Sequence, residues 1–329
     1  MEQKSSSENH DSIHSNTKKV DGFPVIILSN GLLEVEVLSV DKNNGYYRAC
    51  RFDWSGFMAQ VTYKGHTYFQ DWRGYDGSLN PGTHDPLNIG SGTGIAEEFR
   101  FPLGYEAATA GGAFVKVGVG VLEKSKDAAY FFANHYKILD TGEWKVSCDK
   151  DWVLFEHAVK IDSGYGYRYT KKISLVPDKA EIDVLHTLEN TGGKDIVTST
   201  YCHNFFRFDN DFINPNYLLR FPQDITTSAD FTGKAEIKGK TLRLLKSLVD
   251  RVPIRGGLNV GSTNAFTLSN DKTHTAVHVT GSHPLSPNPN ASFYVYIWRM
   301  AHCPEPMIDL DIKPGKATSW NNYYRFDAK

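Results

Sequence analysis

What this 329-residue chain lacks narrows its options first. It has only four cysteines, Cys50, Cys148, Cys202 and Cys303, far apart and without a C-x-x-C pair. A zinc site or a disulfide framework needs closer, patterned spacing, so buried free thiols are expected. No apolar run reaches the ~20 residues that a membrane-spanning helix requires. Neither sign of charge is in excess, because 36 basic against 38 acidic residues leave a formal charge of −2. A general polyanion binder needs a clustered cationic surplus, so neither nucleic acid nor a membrane surface is an expected partner. The opening MEQKSSSENHDSIHSNTKKV lacks the apolar core of a signal peptide. A cytoplasmic protein is expected, with a periplasmic one trimmed of its signal as the alternative.

Helical spacing is scarce as well. Only TLRLLKSLVDRV (241–252) sets Leu242, Leu245, Leu248 or Val249, and Val252 on a helical stripe, and it reads equally as strand. Residues 1–20 have almost nothing to bury and are expected to form a disordered leader. From Phe23 onward the chain is a succession of short strands. LLEVEVL (32–38) alternates apolar and acidic residues, the period of a half-buried strand. YRYTKKISLV (167–176) and AEIDVLHTLEN (180–190) repeat the pattern on either side of Pro177-Asp178. Asn190-Thr191-Gly192-Gly193 then turns the chain into DIVTSTYCHNFF (195–206). ASFYVYIWRMA (291–301) is apolar on both faces, as expected of a strand between two layers. Aromatics, at 13 %, suit β-structure and also the stacking of sugars. With no repeat and no break in composition, residues 21–329 are expected to form one all-β domain, a large antiparallel sandwich or barrel.

Several stretches could carry chemistry. GSGTG (90–94) neither follows an apolar strand nor opens a helix, so it reads as a loop between strands rather than a dinucleotide cradle. IAEEFRFPLGYE comes next, with Glu97, Glu98 and Arg100 among aromatics, either lining a pocket or forming a surface ion pair. YFQDWRGYDG (68–77) combines Asp71, Trp72 and Arg73. Such a mixture can hold a hexose, whose C–H face stacks on a ring while acids accept its hydroxyls, or it can be an ordinary packed turn. His66 and His84 belong to no spaced ligand set, and no metal is expected. His203 shares its strand face with Val197, Ser199, Tyr201 and Phe205, with Asn204 beside it, and is either a packed core residue or a proton donor. Glu305 stands between Pro304 and Pro306. Proline stops ladder pairing, so a strand end or bulge is expected there, holding either a general base or a solvated acid.

HTLENTGGKDIVTSTYCHNFF (186–206) resembles the segment of aldose 1-epimerases, the galactose mutarotase-like proteins, in which a turn precedes a strand ending in histidine and aromatics. CPEPMIDLDIKPGKATSWNNYYRF (303–326) resembles their closing element, a catalytic glutamate before a Pro-Gly turn and a final strand. GGAFVKVGVGVL (111–122) is similar to the middle strands of their less characterised bacterial branch. The ordered motifs extend the resemblance over most of residues 22–327. It implies a large antiparallel β-sandwich that interconverts the anomers of a small sugar without a cofactor, as a monomer or weak homodimer. Carried over by motif, His203 would be the general acid on the ring oxygen and Glu305 the general base on the C1 hydroxyl. That assignment needs a charged histidine, with a nearby carboxylate holding its pKa up. Sugar contacts are expected from Arg100, with Arg73 behind it, and from Glu98, Asp71, Trp72 and Asn204. The upstream histidine and central aspartate of the best-known mutarotases have no clear counterpart, which leaves the sugar open. A non-catalytic carbohydrate-binding protein and a polysaccharide-processing enzyme are the alternatives on the same fold.

Overall fold

The computed structural model describes residues 17–20, 22–70, 84–231, 233–249, 252–288 and 292–329. Asp71, Trp72 and Arg73 lie outside the described residues. Among the described residues four sheets, of five, ten, five and three strands, are built from antiparallel pairs. The fold is a large antiparallel β-sandwich, as the sequence led us to expect. Among the described residues the one helical element is a short 3-10 turn, Phe208–Asn210.

Two local expectations change. Sheet pairing begins inside the supposed leader, where Thr17–Val20 pairs with Phe23–Ser29. The stretch with helical spacing is instead the strand Thr241–Leu244 followed by an irregular segment. Thr241–Leu244 is hydrogen-bonded between Tyr217–Arg220 and Ala235–Lys238, and two ladders outweigh a weak local helical preference. Leu242 and Leu244 are buried by period two, while Leu245 and Val249 are exposed.

The layer that positions the candidate site is the second five-stranded sheet, in the order Ile254–Leu258, Phe293–Trp298, Ala301–Ile312, Ile196–Asn204, Ile95–Phe99. One face of it packs on the ten-stranded sheet: Phe99, Ile196, Ile308, Leu310 and Ile312 meet Tyr167, Tyr169, Leu188 and Trp320. Burying each such side chain contributes roughly 1.5–3 kcal/mol, so this face is fixed. Because side chains alternate, fixing one face sets the other. Tyr201, His203, Glu98, Glu305 and Met307 point away from the core layer.

Candidate active site

Pairing between Ile196–Asn204 and Ala301–Ile312 runs from Ile196 opposite Ile312 to Tyr201 opposite Met307. It lapses, then reappears as a bridge between Phe206 and His302, which exchange both backbone hydrogen bonds. The register is the same on both sides of the lapse, so His203 stands opposite Glu305. Stepping by two from the Phe206–His302 pair brings Pro304 and Pro306 to the hydrogen-bonding positions. Their missing N–H groups open the ladder there. His203 and Glu305 fall on the intervening non-bonded position, where opposed side chains approach most closely. The two prolines thus do interrupt pairing, but on one side only. Glu305 lies inside the strand Ala301–Ile312, opposite Tyr294 on its other flank, and not at a strand end or bulge.

Asn204 closes the opened ladder. Its side-chain amide donates to the Pro304 carbonyl at 2.8 Å, and its carbonyl accepts from the Tyr324 hydroxyl at 3.2 Å. It is wholly buried on the core face, away from the cavity that His203 and Glu305 share.

His203 Nε2 lies 3.3 Å from Glu305 Oε1, with both side chains more than nine-tenths buried. The imidazole stacks on Phe205, centroids 4.2 Å apart, and meets Phe52 edge-on. Burial, reinforced by the Arg51 charge, pushes the His203 pKa well below its ordinary value. Burial raises Glu305 to about 8, against the opposing pull of Arg51 and Arg100. Both shifts run toward the uncharged forms, a neutral imidazole beside a carboxylic acid. The expected charged histidine is opposed by its loss of water and by the Arg51 charge.

The pair lies in the wall of a cavity of about 530 Å³, with Arg51, Glu98, Arg100 and Tyr201 beside it and Phe101, Tyr130, Phe131, Phe132, Tyr294 and Tyr296 around it. Glu98 and Arg100 line the same cavity as His203 and Glu305. Both Glu98 oxygens are already engaged. One accepts from Arg51 Nε at 2.8 Å and from the Tyr201 hydroxyl at 2.6 Å, and the other from Lys116 Nζ at 3.2 Å. Burial alone would raise the Glu98 pKa, but Lys116 and Arg51 outweigh it and hold the carboxyl below its ordinary range. Arg51, Lys116 and Tyr130 were missed in the sequence. YYRACRFDW (46–54) offers the same mixture of cations and aromatics that drew attention to residues 95–106.

Glu97, the immediate neighbour of Glu98, faces the core instead. It meets Lys171 and His186, within a network that also ties in Asp53. Neither glutamate forms a surface ion pair. His66 pairs with Asp209, and His84 bonds the Tyr46 carbonyl. Among the described residues no group of three or more His, Cys, Asp or Glu is placed to hold a metal. Two other hollows, of about 400 and 580 Å³, hold no buried acid–base pair.

The GSGTG loop supports the site from behind. The Gly94 carbonyl accepts from Phe205 N at 2.7 Å, fixing the ring on which His203 stacks. Gly94 has φ +59°, and a Cβ there would lie 1.8 Å from the Met58 carbonyl oxygen. Gly94→Ala is expected to cost at least ~2 kcal/mol, read as a lower urea midpoint. An unchanged midpoint would refute this role.

No family model matches the chain, and no curated protein matches it by sequence. Solved structures do match in shape. A candidate aldose 1-epimerase from Escherichia coli K12 aligns over 94% of this chain and 100% of its own, with TM-score 0.51 and 16% identity. A galactose mutarotase-like protein from Lactobacillus casei ATCC 334 covers 92% and 100%, with TM-score 0.54 and 13% identity. One from Clostridium acetobutylicum covers 95% and 98%, with TM-score 0.52 and 11% identity. At such identities the likeness establishes the fold, the galactose mutarotase-like sandwich, over nearly the whole chain.

Proposed function

We propose that this protein is a cofactor-independent aldose 1-epimerase that interconverts the anomers of a sugar with His203 and Glu305. The observation that carries the reading is a buried acid–base pair, 3.3 Å apart, in an aromatic-lined cavity of a fold shared with mutarotase-like proteins.

The pair holds one exchangeable proton, and anomerisation needs one proton given and one taken. From the uncharged pair, Glu305 gives its proton to the ring oxygen while His203 takes the proton of the C1 hydroxyl. The C1–O5 bond breaks and C1 becomes an aldehyde. Rotation about C1–C2 presents the other face, and ring closure returns both protons. The assignment carried by motif, Glu305 as base and His203 as acid, is the same pair with its proton on the imidazole. Burial of both groups favours the uncharged form at rest. The aromatic rings can stack the sugar's C–H faces and exclude water during ring opening.

Each positioned proton transfer is worth roughly 10²–10⁴-fold, so His203→Asn is expected to lose that much activity. The test is anomer equilibration followed by polarimetry or NMR on freshly dissolved aldoses. Arg51, Arg100, Arg255, Glu98 and the tyrosines Tyr130, Tyr201, Tyr294 and Tyr296 are the charged and titratable groups that line the cavity with the pair. Activity should fall above pH about 8 as Glu305 loses its proton, and fall again only well below the ordinary histidine range, as His203 gains one. A wild type that binds a sugar but never exceeds the buffer rate would instead support the carbohydrate-binding alternative.

A further inference from the structure

We infer that the cavity is built for an aldose carrying a negative charge away from its anomeric carbon, a sugar acid or a sugar phosphate, with Arg100 as the anchor for that charge. The inference rests on the epimerase reading only for where C1 sits; the anion site itself stands on the charges.

Four cations line or back the cavity, Arg51, Lys116, Arg100 and Arg255, against two carboxylates, Glu98 and Glu305. Glu98 is taken up by Arg51 and Lys116 together. Glu305 is held in its protonated form by burial and faces His203. Neither Arg100 nor Arg255 forms an ion pair among the described residues, and Arg100 reaches Glu305 only as a longer-range pull. Among the described residues the Arg100 side chain hydrogen-bonds only to the Met307 sulfur, at 3.2 Å. A half-buried guanidinium with a thioether for company has donors to spare, and its planar fork matches a carboxylate or a phosphate.

The strand order places these cations around the reacting pair. Arg100 comes directly after Ile95–Phe99, at one edge of the sheet, and Arg255 lies on Ile254–Leu258, at the other. Each edge strand is two strands from Ala301–Ile312, roughly 10 Å at ordinary strand spacing, and an arginine side chain spans much of that. An anionic group on the far side of a pyranose from C1 then meets a cation while C1 stays over His203 and Glu305. Arg100 is the stronger anchor because it is the less exposed of the two, whereas Arg255 at the rim serves to draw the anion in.

The experiment compares glucose, glucuronate and glucose 6-phosphate by calorimetry and by NMR anomer equilibration, in wild type, Arg100→Gln, Arg100→Lys and Arg255→Gln. At least one charged sugar should bind roughly tenfold or more tightly than glucose, with an advantage that shrinks as salt rises. Arg100→Gln should bring the ratio of charged to neutral affinity toward one, and Arg100→Lys should restore part of it. Which charged sugar wins separates a carboxylate site from a phosphate site. Equal binding of all three, no binding of either anion, or a preference that survives both glutamine variants would overturn the inference. Charge-dependent binding without turnover would sink the epimerase reading and leave the anion site standing. Turnover of glucose without charge preference would do the opposite.

Discussion

Replacing Glu305 with glutamine is expected to cripple anomerisation and, above pH about 4.5, to stabilise the fold. Loss of the proton donor should lower the rate by roughly 10²–10⁴-fold. The gain in stability comes from the direction of the pKa shift. The Glu305 carboxyl titrates at about 8 in the folded protein against an ordinary 4.5, so the native state holds the proton more tightly than the unfolded chain. Below 4.5 both states are protonated and the site is neutral to stability. Between 4.5 and 8 the unfolded chain ionises while the folded protein does not, and stability falls by ~1.4 kcal/mol per pH unit. Glutamine cannot ionise and escapes this cost. Its advantage should be negligible at pH 4, ~3 kcal/mol at pH 7 and greater still at pH 8. Urea midpoints of wild type and variant across this range check it. A variant that is equally destabilised at pH 4 and pH 8 would show that Glu305 is a packing residue and not a buried acid held against its solvation.

The layers of the sandwich were legible in the sequence because period-two alternation survives in the long central strands. Gly166–Leu175 buries Tyr167, Tyr169, Lys171, Ile173 and Leu175 in alternation. The same alternation separates residues that the motifs grouped together. His203 and Asn204 are consecutive on a strand, so they cannot face one cavity, and Asn204 went to the core side to splint the ladder. Glu97 and Glu98 divide in the same way. Other parts of the site were beyond the reach of pattern. Arg51 lies 47 residues from Glu98 along the chain and Lys116 18 residues, and nothing local announces that three segments converge on one carboxylate. The protonation of the pair was hidden for a related reason. A carboxylate beside a histidine reads as an ion pair until the surrounding layers remove its water, and burial is a property of the assembled sheets. The prolines flanking Glu305 were visible, but their effect depends on which ladder their nitrogens face. That required the register.

Lys171→Met should be the most damaging single change outside the cavity. Lys171 Nζ lies 2.5 Å from Glu97, 3.4 Å from Asp53 and 2.8 Å from the Ser55 carbonyl, in the interior where the ten-stranded sheet meets the site sheet. Methionine keeps most of the volume and removes the charge. Glu97 then keeps His186 at 2.9 Å and the Asn322 amide, while Asp53 keeps, among the described residues, only the Ser55 and Tyr169 hydroxyls and the Ser55 N–H. Breaking a buried pair on one side costs about 3–5 kcal/mol, because the partner keeps its dehydration penalty and loses its compensation. Removing the stranded acid as well should recover much of the loss, so Lys171→Met/Glu97→Gln is expected to be more stable than Lys171→Met alone. The pH dependence gives an independent check. Burial would raise Glu97, but His186 and Lys171 together hold it at about 2, so its contribution is complete above 4.5 and disappears as pH falls toward 2. The cost of Lys171→Met, read from urea midpoints, should therefore shrink on acidification, as the abandoned carboxylates take up protons in place of the lost ammonium. A cost below ~1 kcal/mol at pH 7, with no rescue in the double variant, would mean that packing alone joins the two sheets and that the buried charges are incidental to the fold.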